Sequence, residues 1–166
     1  GRAMSGDDNL RQVSPADVIG ALIAANLTVA TAESLTGGLL AAALTSVAGS
    51  SACMRGGIVS YATDLKSALL GVDVDLLARC GPVDAEVARQ MASGVAAACG
   101  SDVGISTTGV AGPSEQNGIA VGTVFVAVIS PRQRFGVVRE LALPGDRRAV
   151  RDQTVAVALE VLLAAV

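Results

Sequence analysis

The chain has 166 residues, 51% of them hydrophobic, with two Phe, one Tyr, no Trp, no His and a net charge of −3. That length suits one domain burying roughly two thirds of the surface its unfolded form exposes, around an aliphatic, closely packed core. Few aromatics and no basic stripe beyond Arg147, Arg148 and Arg151 exclude a direct nucleic-acid partner, and no apolar run reaches the roughly 18 residues of a membrane span, so a cytoplasmic protein without a membrane partner is expected.

Gly1–Met4 reads as the remnant of a cleaved tag and residues 1–12 as disordered, which sets residues 1–13 apart from one domain over 14–166. Ser14-Pro15-Ala16-Asp17 predicts a helix start, with Ser as N-cap, Pro in the first turn and a carboxylate near the positive end of the dipole. That helix is expected to reach Ala25, and Asn26 breaks it. Leu27 to Ala32 suits a buried strand feeding the ESLTGG turn, and Leu39 to Val47 has the apolar density of a buried helix. Gly57 to Tyr61 is the next strand, followed by a helix capped by Thr63 or Asp64 and reaching Leu70. A short helix covers Asp73 to Ala78, and Asp84 caps another through Ala98 with Gly100 as its stop. Val103 to Thr107 is a strand, Gly109 to Gly118 a loop, and Val121 to Ile129 pairs with Phe135 to Leu143 as an antiparallel hairpin. A helix from Arg147 to Ala165 closes the domain. Together these elements predict an α/β protein: a three-layer α/β/α sandwich with a mixed, mostly parallel sheet and a C-terminal antiparallel hairpin.

In such sheets ligands bind beyond the carboxyl ends of the parallel strands, where Ser34, Tyr61 and the 109–118 loop emerge. Ser34 is either a helix cap, a role for which Thr36 competes, or a nucleophile. The second reading uses Gly37 and Gly38, which would let a substrate approach amide N–H groups at a helix start that suit an oxyanion. With no histidine to act as base, Lys66, partly desolvated in a crevice, can accept the Ser34 proton while Tyr61 relays it. Otherwise Tyr61 is core filler with a wet tip and Lys66 a solvated surface charge. Glu33 either orients an amide or amine of the substrate or bonds loop amides, and Gly109-Val-Ala-Gly-Pro113 is a second candidate for substrate contacts. Cys53, Cys80 and Cys99 are odd in number and widely spaced, which fits core residues better than a disulfide or zinc framework. No metal and no cofactor are expected. A short-chain dehydrogenase is set aside because Tyr61 and Lys66 are five apart and no GxGxxG follows a first strand.

AESLTGG (32–38), GSSACMRGGIVSYATDLKSALLGV (49–72), GPVDAEVARQMASG (81–94), STTGVAGP (106–113), VGTVFVAV (121–128) and GDRRAVRDQTVAVAL (145–159) resemble, in order and spacing, the CinA C-terminal domain family, in its stand-alone amidohydrolase form. The resemblance implies a deamidase converting nicotinamide mononucleotide to nicotinate mononucleotide and ammonia, with Ser34, Lys66 and Tyr61 in the active site. Leu35 stands where the family often has Cys, and Ala62 and Thr63 replace the Ser and Asn of its YSNxxK motif. The family's link with competence and DNA damage supplies the rival reading, a nucleotide-sensing or partner-binding domain without relevant turnover. For the substrate's phosphate, the Ser106–Gly112 loop, including Thr108, Gly109, Ala111 and Gly112, is favoured over Arg147 and Arg151. A homodimer is expected from the Ala-rich apolar surface.

Overall fold

The computed structural model describes residues 12–166, and the expected tag remnant and disordered stretch lie largely outside the described residues. Helix α1 (Pro15–Ala24) opens with a complete capping box, in which the Ser14 hydroxyl accepts from the Asp17 amide and the Asp17 carboxylate from the Ser14 amide. Strand β1 (Val29–Glu33) leads through the ESLTGG turn into α2 (Leu39–Thr45), and β2 (Met54–Val59) follows a short 3₁₀ turn over Ser50–Ala52. Then come α3 (Thr63–Leu70), α4 (Val74–Cys80), α5 (Ala85–Cys99), β3 (Val103–Gly109), β4 (Thr123–Ser130), β5 (Phe135–Ala142) and α6 (Arg147–Ala165).

The five strands form one sheet in the order β2-β1-β3-β4-β5. β1 pairs in parallel with both β2 and β3, and β4 runs antiparallel to its neighbours β3 and β5. Four strands therefore share one direction, which is the mixed α/β sheet that the alternating elements predict. Alternation divides the core between the two faces. Val124, Val126 and Val128 of β4 face the layer of α1, α2 and α6, whereas Phe125, Ala127 and Ile129 face α5. On that second side Ala30 and Ala32 of β1 meet Leu70, Leu76, Val87 and Met91. Small residues bring this layer close: a methyl at Gly104 would fall inside the Ala92 carbonyl, and one at Gly94 inside the Leu70 carbonyl.

Several boundaries differ from expectation for local reasons. β2 begins at Met54, three residues early, because Gly56 and Gly57 continue the strand; Gly57 has no side chain where the Thr31 hydroxyl of β1 packs. It ends at Val59, so Tyr61 lies beyond the strand. Helix α2 is short and half-exposed, burying only Leu40 and Leu44, and it ends where the Thr45 hydroxyl donates back to the Ala41 carbonyl. Neither Thr63 nor Asp64 caps α3, whose N-cap is Ala62 with no side-chain bond. β3 continues to Gly109, two residues past Thr107, by pairing with Val124.

Candidate active site

Ser34 follows the last residue of β1, and its amide donates to the Thr107 carbonyl at 3.0 Å, so the sheet itself positions the nucleophile candidate. The hydroxyl caps no helix, since α2 has Gly38 as N-cap without a side-chain bond. Two successive turns follow. Gly37 donates to the Ser34 carbonyl at 3.1 Å, and Leu39 to that of Thr36 at 2.9 Å. In the second turn both central residues are left-handed, Gly37 with φ 59° and Gly38 with φ 106°, a conformation in which a side chain is strained. The glycine pair is thus explained by backbone geometry before any substrate is invoked.

Glu33 serves as the tertiary cap that Gly38 cannot supply. Its buried carboxylate accepts from the Leu40 amide at 2.8 Å and the Ala41 amide at 3.1 Å, at the positive end of the helix dipole. Of the two roles open to Glu33, the structure therefore selects the bond to backbone amides. Thr36 is spent likewise: its hydroxyl pairs with that of Thr107 at 2.8 Å, both fully buried. The side chains of Glu33 and Thr36 and the left-handed backbones of Gly37 and Gly38 thus build the turn, and Leu35 is the member of this stretch that lines the pocket along with Ser34.

Lys66 lies on the inner face of α3, fully buried, with Nζ 3.0 Å from Ser34 Oγ. Nζ also donates to the Ser60 carbonyl at 2.6 Å and the Tyr61 carbonyl at 3.4 Å. Among the described residues no carboxylate pairs with it. Burial without a counter-charge pushes the ammonium down from its ordinary 10.5 to about 8. Two carbonyls can take the two protons of a neutral amine, which leaves its lone pair for the Ser34 hydroxyl. The alternative of a solvated surface lysine is excluded by the burial.

Tyr61 is 61% exposed, so it is not core filler, and its hydroxyl accepts from Arg147 Nη2 at 3.2 Å while Arg147 Nη1 donates to the Gly112 carbonyl at 2.8 Å. What joins Tyr61 to Lys66 in this structure is its carbonyl, while the phenol, expected as a proton relay, meets Arg147 at the cavity. Ser34, Tyr61, Lys66 and Arg147 surround one cavity of about 190 Å³, together with Thr108, Gly109, Ala111 and Gly112 beyond β3. The three loops do face one crevice. Pro82 and Val83, just before the Asp84 cap of α5, supply a wall not anticipated as part of the site. Ser106 and Thr108, expected in a loop, lie within β3 with their hydroxyls engaged: Ser106 donates to the Ala88 carbonyl at 2.6 Å and Thr108 to that of Pro82 at 2.7 Å. Arg151 does not reach the cavity, since its Nε donates to the Leu35 carbonyl at 2.9 Å. Among the described residues no group of three or more His, Cys, Asp or Glu side chains gathers as a metal site, and no helix is long and apolar enough to cross a membrane.

A mixed α/β sheet whose parallel strands end at a buried serine–lysine pair defines an α/β protein with a candidate nucleophile site beyond its carboxyl ends. The chain belongs to the CinA C-terminal domain family, whose sequence profile matches residues 12–166. It is 47% identical over 156 residues to a CinA-like protein of Frankia casuarinae, covering 94% of this chain and 35% of that one. It is 46% identical over 147 residues to a CinA-like protein of Mycolicibacterium gilvum, covering 88% of this chain and 34% of that one. The chain therefore spans about a third of the length of these curated relatives. Among solved structures it is similar to a competence/damage-inducible protein of Agrobacterium tumefaciens, with TM-score 0.86, 37% identity and coverage of 90% of this chain and 92% of that one. A competence-damaged (CinA) superfamily protein of Enterobacter cloacae has TM-score 0.88 and 28% identity, covering 99% and 97%.

Proposed function

We propose that the protein is a serine amidohydrolase that deamidates nicotinamide mononucleotide to nicotinate mononucleotide and ammonia. The observation that carries the reading is the Lys66–Ser34 contact of 3.0 Å, between a fully buried amine without a carboxylate partner and a hydroxyl at the end of a parallel strand. Neutral Lys66 takes the Oγ proton as Ser34 attacks the carboxamide carbon. The tetrahedral oxyanion collects on backbone amides of the Leu35–Gly38 turn. Lys66 returns the proton to the amide nitrogen, the C–N bond breaks and ammonia leaves. Water then attacks the acyl-enzyme, giving its proton to Lys66, and Ser34 is restored. No metal or cofactor enters these steps.

The phosphate falls to Arg147 in this reading, against the initial preference for the loop. Each hydroxyl of Ser106 and Thr108 gives its one proton to a backbone carbonyl, whereas Arg147, beyond its bonds to the Gly112 carbonyl and the Tyr61 hydroxyl, keeps further N–H donors and a charge at the rim of the cavity. Arg147→Ala is expected to raise KM for the mononucleotide roughly tenfold or more, in line with the loss of one charge-assisted bond, and to change KM for nicotinamide riboside far less. Equal effects on both substrates would remove Arg147 from phosphate recognition.

The test of the activity is ammonia and nicotinate mononucleotide released from nicotinamide mononucleotide by purified protein, unaffected by EDTA. Ser34→Ala is expected to abolish release at a stability cost of about 0.5–1.5 kcal/mol, the hydrogen bond from Lys66 being what the hydroxyl contributes to the fold. Absence of turnover by the wild type would leave the nucleotide-sensing reading, and full activity of Ser34→Ala would remove the nucleophile.

A further inference from the structure

Most polar side chains around the Ser34 cavity are already engaged. Ser34 and Lys66 bond each other, Tyr61 bonds Arg147, and the Thr108 hydroxyl is given to the Pro82 carbonyl. Thr63, Ser114 and Gln116 also line the cavity and are exposed, and among the described residues their side chains have no hydrogen-bond partner. Of these three, only Gln116 offers a separate acceptor and donor, Oε1 and Nε2, in one plane; a hydroxyl has a single proton to give.

The backbone of Gln116 is fixed while its side chain is free. Its amide donates to the Ile119 carbonyl at 3.1 Å, and the Ile119 amide donates back to the Gln116 carbonyl at 2.9 Å. Asn117 and Gly118 between them are both left-handed, with φ 50° and 76°, the tight hairpin turn for which Asn-Gly is a preferred pair. The tip leans on the turn between α4 and α5, since a side-chain carbon at Gly81 would stand 3.8 Å from Asn117 Nδ2. In the sheet, β1 lies between β2 and β3. Lys66, from the helix after β2, and Gln116, from the loop after β3, thus reach the cavity from opposite neighbours of the strand that ends at Ser34. The same loop contains the Gly112 carbonyl that Arg147 holds, which ties the hairpin to the cationic end of the cavity.

A nucleotide amide with its carboxamide at Ser34 and its phosphate at Arg147 brings its ribose next to the phosphate. The adjacent hydroxyls of a ribose each donate and accept, and in dinucleotide-binding folds a carboxylate commonly holds them. Among the described residues no Asp or Glu lines this cavity.

We propose that Gln116 is a specificity-determining residue that holds the ribose diol, Oε1 accepting from one hydroxyl and Nε2 donating to the other. It makes the site selective for ribosylated amides. The inference rests on the nucleotide reading of the site.

Kinetics of the full chain on nicotinamide mononucleotide and on its 2′,3′-dideoxyribose analogue test it. The wild type is expected to prefer the mononucleotide by about tenfold or more in kcat/KM, as a site does that loses hydrogen bonds to a missing hydroxyl. Gln116→Ala is expected to lose about tenfold on the mononucleotide, mainly in KM, and to stay within about twofold of the wild type on the analogue, so that the preference largely disappears. Its melting temperature is expected to match the wild type, because the side chain is exposed and bonds to nothing within the described chain. Equal losses on the two substrates, as from a loosened loop, overturn the inference, and so does no loss on either.

If the wild type deamidates neither compound, the amidase reading fails and calorimetric binding of the same two compounds takes the place of rates. Binding of the mononucleotide weakened about tenfold by Gln116→Ala, with the analogue unaffected, upholds the diol contact in a nucleotide-sensing site. Binding of neither compound, or binding indifferent to Gln116, overturns it.

Discussion

Lys66 is costly to the folded state at neutral pH, and its cost is the source of its reactivity. Its ammonium is depressed from 10.5 to about 8 by burial, so between those values the unfolded chain binds a proton that the folded chain does not. Stability contributed by this group therefore rises with pH across that window, and below pH 8 the folded state carries a penalty on the order of 3 kcal/mol. Lys66→Met removes the titration. Its stability relative to wild type, measured by urea unfolding, is expected to be more favourable at pH 7 than at pH 10.5 by up to that amount. A difference independent of pH would mean that Lys66 titrates normally. In the reaction the sign is the same as for any base: kcat/KM is expected to rise with pH and level off above about 8. Lys66→Arg keeps a charge that cannot be shed near neutral pH, so it is expected to be as inactive as Lys66→Met. Activity retained in the arginine variant would recast Lys66 as a binding charge.

The position of that amine depends on how closely two helices approach. α3 carries Lys66, and one turn later the Leu70 carbonyl of α3 rests against Gly94 of α5, where a methyl would overlap it. Gly94→Ala is expected to push α3 away from α5, at a stability cost of about 1–3 kcal/mol for overpacking, with a loss of kcat because Nζ is drawn from Ser34. Gly20→Ala on the exposed face of α1 is the control: nothing stands within 4 Å of the added carbon. There the substitution is expected to stabilise by about 0.5–1 kcal/mol, with activity unchanged. Thermal unfolding and kcat measured on the pair separate packing from propensity. An unchanged Gly94→Ala protein would show that α3 is free to shift without disturbing Lys66.

For the molecule as a whole, the surface around β2, α3 and α4 bears Val59 at 45%, Leu69 at 48% and Val74 at 65% exposure, beside the edge strand of the sheet. Exposed apolar side chains on an edge are best relieved by a partner, and a second copy of the chain is the expected one. Light scattering on a chain of 16.4 kDa is expected to return twice that mass. Val74→Asp combined with Leu69→Asp is expected to return the monomer mass. A wild-type monomer at micromolar concentration would set the dimer aside.

What could be read without the structure was what neighbouring residues decide among themselves. Ser14, Asp84 and Asp146 cap their helices through bonds to amides two or three positions away, and Gly71 and Gly100 end theirs in left-handed conformations, so composition and spacing suffice for such elements and for the α/β class. Ser34 and Lys66 were legible as candidates for a related reason: a strand end before two glycines and a lysine on the next helix are local patterns. The polar partners were not. Thr36 meets Thr107 across 71 positions, Tyr61 meets Arg147 across 86 and Arg151 meets Leu35 across 116. A hydroxyl, carboxylate or guanidinium accepts many partners of similar strength, and nothing in its own neighbourhood selects among them. The choice was made by folding, when strand order and helix packing brought distant residues within about 3 Å, the range over which a hydrogen bond acts. That is why Glu33 and Thr36 became supports of the turn, why Tyr61 turned to Arg147, and why the residue that grips the nucleophile's turn comes from the last helix of the chain.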